Sequence, residues 1–145
     1  MTRPRRPQAM LFGWKSLVAA AALGLAAAAT AQDVKVTLTG AEETPPVTTT
    51  ATGSGTIKIG ADKSVSGSVM TKGLQGIAAH IHVGAPGVAG PAIITLTQGP
   101  EGTWTVPPGS KLTDEQFASF KSGSLYVNVH SDAHKPGEIR GQLKP

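Results

Sequence analysis

The chain has 145 residues, with 13 Lys and Arg against 9 Asp and Glu, 18 Gly, 11 Pro and no Cys, a length that allows one domain and little more. The missing Cys excludes a disulfide framework, a thiolate zinc site, a cysteine nucleophile, a lipidated Cys and a blue-copper centre. Arg3, Arg5, Arg6 and Lys15 carry the whole charge excess, and from Gln32 onward bases and acids balance, which argues against a nucleic-acid-binding surface.

In chain order, residues 1–31 read first as an export leader. A cationic stretch runs to Lys15, an apolar, Ala-rich run covers residues 17–29, and Ala29-Thr30-Ala31 supplies small residues before Gln32. The apolar run is shorter than the roughly 20 residues needed to span a bilayer. Cleavage after Ala31 is therefore expected, not a membrane anchor. Arg5-Arg6 leaves twin-arginine export open beside the general route, although Pro7 and Gln8 follow where apolar residues belong. The expected mature domain, residues 32–145, is secreted or periplasmic and free of the membrane.

Alternation with period two then dominates. Val34, Val36 and Leu38 alternate with Lys35, Thr37 and Thr39, the mark of a half-buried strand. Similar runs occupy residues 55–59, 64–70, 77–83, 92–97, 103–106, 125–130 and 138–143, separated by Gly- and Pro-rich turns. This pattern predicts an all-β domain, an antiparallel β-sandwich or Greek-key barrel. The Thr- and Gly-rich residues 47–55 are expected to form an edge strand or its approach. One helix is expected, at residues 113–121. There Thr113 and Gln116 are spaced for a capping box, Phe117 and Phe120 share a face that plugs one end of the fold, and Gly123 supplies a left-handed stop.

The chain holds no G-x-S-x-G, no H-E-x-x-H, no phosphate loop and no dinucleotide fingerprint. Ser131, Asp132 and His134 bring triad residue types within four positions, a spacing that reads as a turn, since triads assemble in space on a scaffold. Glu42 and Glu43 read as solvated. What remains is the histidines: His80 and His82 in Ala-His-Ile-His, and His130 and His134 in Val-His-Ser-Asp-Ala-His. If Ile77, Ala79, Ile81 and Val83 face the core, His80 and His82 project together from the other face, roughly 7 Å apart at Cα. Leu125, Val127 and Val129 facing inward turn Tyr126, Asn128 and His130 outward, and Ile139 and Leu143 do the same for Glu138, Arg140 and Gln142. Placed in one sheet, these strands gather three imidazoles, a carboxylate and a guanidinium on its polar face, with His134 on the adjoining loop. Imidazole is the usual nitrogen ligand for zinc and copper. His80, His82, His130 and His134 are thus the candidate ligands, against the alternative of ordinary polar side chains satisfied by water.

Four segments resemble a known family in its own order. They are Leu38-Thr39-Gly40-Ala41-Glu42-Glu43-Thr44-Pro45-Pro46-Val47, Ala78-Ala79-His80-Ile81-His82-Val83-Gly84, Gly123-Ser124-Leu125-Tyr126-Val127-Asn128-Val129-His130, and His134 with Gly137-Glu138-Ile139-Arg140-Gly141-Gln142-Leu143. Together they resemble the chordin-type, or CHRD, domain. The resemblance implies a secreted or periplasmic all-β domain; at Lys135-Pro136 the chain departs from the family's usual Pro-Gly-Gly. A looser similarity in residue type and order links His80, His82, His130 and Arg140 to copper/zinc superoxide dismutases, Greek-key barrels in which an Arg guides the anion. Three functions follow as alternatives: a non-enzymatic exported domain that binds a transition metal or another macromolecule, a copper-dependent enzyme of dismutase type, and a purely structural envelope domain.

Overall fold

A computed structural model describes residues 30–145; apart from Thr30 and Ala31, the expected leader lies outside the described residues. Alternating side chains build β1 (Gln32–Thr39), β2 (Thr52–Ile59), β3 (Val65–Lys72), β4 (Gly76–Val83), β5 (Ala92–Thr95), β6 (Thr97–Gln98), β7 (Thr103–Thr105), β8 (Leu125–Ser131) and β9 (Ile139–Leu143), with one α-helix, α1 (Asp114–Lys121). The strands pair antiparallel in one sheet of order β5-β4-β8-β9-β1-β2-β3-β7-β6. Its two edge strands are consecutive in the chain, parted only by Leu96, whose N–H donates to Ala79 O at 2.9 Å. One extended segment therefore pairs with β4 along its first half and with β7 along its second. The sheet curls into a nearly closed barrel, which leaves little unpaired edge for another chain to add to.

The interior is filled by the alternating residues read from the sequence: Val34, Val36 and Leu38 from β1, Ala79 and Ile81 from β4, Leu125, Val127 and Val129 from β8, and Ile139 and Leu143 from β9, all buried. The helix forms where expected. Thr113 Oγ1 accepts from Gln116 N–H at 3.2 Å, while Gln116 Oε1 accepts from Thr113 N–H at 2.9 Å, closing the capping box. At the other end Gly123 has φ +74°. Its N–H donates to Phe120 O and that of Ser124 to Ser119 O, so the last helical carbonyls are satisfied by a left-handed cap. Phe120 is buried, and Phe117 packs partly buried against the core.

Two strand expectations are corrected. Residues 47–51 form a loop, and β2 lies inside the sheet between β1 and β3, not at an edge. Its glycines serve close packing: a Cβ on Gly55 would overlap the Ser68 carbonyl, and one on Gly53 would press on Leu38 and Ile139. Ile77 does not share the core face with Ala79 and Ile81 but is 48% exposed. The β4–β8 register shifts between Gly76 and Ala78, and such a bulge turns the side chain beside it away from the regular alternation.

Candidate metal centre

Register brings the chemistry together. Across β4 and β8, Ala78 pairs with His130, His80 with Asn128 and His82 with Tyr126; across β8 and β9, Asn128 pairs with Arg140 and Tyr126 with Gln142. The face is polar as expected, but it is not wet: Tyr126, Asn128, Glu138, Arg140 and Gln142 are all buried. Segments the alternation did not reveal roof it over. Arg140 donates to Ala85 O at 2.9 Å and Val88 O at 3.0 Å, and Gln142 Nε2 donates to Gly84 O at 2.7 Å and Gly123 O at 2.8 Å. The segment between β4 and β5 is thus bolted down by side chains from β9, with its carbonyls satisfying a guanidinium that lies against the Tyr126 ring, 3.4 Å from its centroid. Glu42 is exposed, but Glu43, expected in solvent, is buried as well. Burial raises its carboxyl pKa, with the nearby Arg140 and the Asn128 amide acting against the rise.

Under this roof three of the four histidines meet. One nitrogen from each of His80, His82 and His130 lies within 4.8 Å of the others. The rings are oriented by backbone carbonyls. His82 Nδ1 is 2.8 Å from Gly90 O and His130 Nδ1 is 2.7 Å from Lys135 O. A carbonyl only accepts, so Nδ1–H donates in both rings and the neutral imidazoles present their Nε2 lone pairs. His130 Nε2 lies 3.0 Å from His80 Nδ1, which then donates to it. His82 Nε2 is buried with no partner. The His82 ring is further fixed by stacking on Tyr126, at 4.8 Å between centroids and 6° between planes. Burial first, and the neighbouring imidazoles after it, lower the pKa of His80; burial dominates for His82 too, although its bond to Gly90 opposes it. Both rings are held neutral, the state that binds metal.

His134 is not in this group. It lies on the turn between β8 and β9, where its N–H donates to Ser131 O at 3.2 Å and Ser131 Oγ at 3.1 Å. It is among the residues that line a separate pocket of about 180 Å³, with Glu43, Thr44, Pro45 and Pro136. Ser131, the last residue of β8, and His134 thus close the turn that leads to β9. Arg140, set beside an anion-guiding arginine by the dismutase analogy, is 1% exposed. Its guanidinium serves Ala85, Val88, Gln142 and Thr44, so it holds the roof and is not offered to a diffusing anion. Three contributors were missed. Gly90 and Lys135 act through main-chain carbonyls and leave no residue-type signal. Asn128 did carry one, being two residues from His130 on the same strand face.

Fold and site together define an all-β barrel domain whose polar sheet face is closed into a histidine-centred cluster. Residues 34–143 match the CHRD domain family model, and the chain belongs to that family. No curated protein and no solved structure matches the chain.

Proposed function

We propose that this chain is an exported, non-enzymatic metal-binding module that holds one divalent transition ion, zinc or copper, on His80, His82 and His130. One observation carries the reading: the Gly90 and Lys135 carbonyls orient His82 and His130 so that each turns its Nε2 into the cluster, and the Nε2 of His82 is buried without any hydrogen-bond donor. A neutral ring nitrogen in that position costs free energy unless a cation or donor reaches it. Hydrogen bonds from the far ring nitrogen to a carbonyl are the usual support of a ligating histidine. For His80 to bind through Nδ1, its proton would first move to its own Nε2, which frees the facing lone pairs of His80 and His130 without releasing a proton. Soft thiolate is absent and imidazole suits zinc and copper alike.

The binding reading is preferred over a dismutase because Arg140 spends its donors on the roof. Export rests on the leader pattern in residues 1–31 and accords with family membership; among the described residues no helix is long and apolar enough to cross a membrane. The test is elemental analysis of protein from its native compartment, followed by calorimetric titration of the metal-free protein with zinc and copper. Wild type binds one ion and His82→Ala loses that binding; equal affinity in both removes His82 from the site. Superoxide turnover by the copper form above the free-ion background would restore the enzyme reading.

A further inference from the structure

Three imidazoles leave a four-coordinate ion one donor short. A buried, unpartnered oxygen on the same sheet face belongs to Asn128. In register it lies between His80 on β4 and Arg140 on β9, and it is two residues from His130 on the same face of β8. It is 3% exposed, and its Oδ1 is buried without a partner. The other end of its carboxamide explains the orientation. Asn128 Nδ2 is directed at Pro136 O, 3.5 Å away. A carbonyl is an acceptor, so turning the amide over would press Oδ1 against it. Gly137, at φ +137°, permits this convergence: a Cβ there would overlap Glu43 Oε1 and stand 2.6 Å from Asn128 Nδ2.

The free oxygen belongs to a side chain on the histidine face of the sheet, where Asn128 stands opposite His80. Two lone-pair atoms, Asn128 Oδ1 and His82 Nε2, are thus buried on one side of the cluster with no donor for either. A cation satisfies both at once; leaving both bare is the costly alternative. His134 is not part of the three-histidine group and lines a separate pocket beside Glu43.

Building on the three-histidine reading, we propose that Asn128 Oδ1 is the fourth donor to the ion, giving a three-nitrogen, one-oxygen site for zinc or Cu(II), with the Pro136 carbonyl orienting the Asn128 amide. The experiment titrates metal-free protein with Co(II), whose visible bands report the number and kind of donors, and displaces it with zinc. Asn128→Ala still binds, but at least about tenfold more weakly, with altered bands as water replaces the amide oxygen. Asn128→Asp keeps an oxygen in place, adds charge and binds more tightly than wild type. Unchanged affinity and bands in a folded Asn128→Ala protein overturn the assignment while leaving the three histidines standing. If wild type takes up neither Co(II) nor zinc, the histidine reading fails and this proposal with it. Should Asn128→Ala not fold, Asn128→Asp decides alone: binding no tighter than wild type overturns the contact.

Discussion

His82 shows how a single side chain is given a chemical role by its surroundings. In an isolated strand its ring would take up a proton near pH 6.5; here burial lowers its pKa, as it does that of His80. A folded pKa below the unfolded value means that the unfolded chain binds more protons in the interval between the two. The metal-free protein therefore loses stability as pH falls through about 6.5 and keeps losing it until the folded pKa values are passed. Denaturant titrations at pH 7.5 and 5.5 check this. The decline is steeper for wild type than for a His80→Gln, His82→Gln double variant, and the comparison removes the contribution of Glu43. That residue acts with the opposite sign, because its raised pKa favours proton uptake by the folded state.

Arg140 makes the second residue-scale case. A buried guanidinium with no carboxylate in an ion pair is held by carbonyls of residues 85 and 88 and by the Tyr126 ring. Lysine keeps the charge but not the planar fork or the stacking surface. Arg140→Lys is expected to cost about 2 kcal/mol of stability in denaturant unfolding. It also weakens zinc binding, because the roof carries Gly90, which orients His82. Full retention of affinity in a destabilised Arg140→Lys protein would separate the roof from the site.

At the scale of elements, β8 organises the domain. Its inward residues Leu125, Val127 and Val129 are fully buried, and its other face carries Tyr126, Asn128 and His130 into the cluster. Val127→Ala removes two methyl groups from a close-packed interior and should cost about 2 kcal/mol, read as a lower denaturant midpoint with an unchanged slope. No measurable change would mean that the two faces of the strand had been exchanged. For α1 the capping box is the local device. Thr113→Ala is expected to cost about 1 kcal/mol by leaving the Gln116 N–H without its acceptor.

For the whole molecule, the proposed metal on β4 and β8 would clamp two strands whose ligands are 50 positions apart in the chain. An ion bound to the folded state and not to the unfolded one stabilises by about 2.7 kcal/mol at a hundredfold excess over Kd. In a domain of this size that is a rise of roughly 10 °C in Tm. Differential scanning of wild type with zinc should show the rise and His82→Ala should not. The exported protein should begin at Gln32, and an intact mass that retains residues 1–31 would make the leader an anchor.

The sequence by itself determined the class of fold, because period-two alternation acts within a strand and needs no partner to be read. The inward faces of β1, β8 and β9 and both ends of α1 were legible for that reason. So was the pairing of His80 with His82, which share a face through the pleat alone. The tertiary structure decided the rest. Strand order placed the Thr- and Gly-rich β2 in the sheet's interior, because packing against β3 needs absent side chains at Gly55, not merely extended backbone. A bulge took Ile77 off the core face. Burial of the polar face was hidden because its roof comes from the segments at residues 43–47 and 84–91, and alternation along a strand says nothing of what lies above it. The site's orientation depends on Gly90 and Lys135 carbonyls, which every residue possesses. Only the path of the folded chain could say which carbonyls would meet an imidazole.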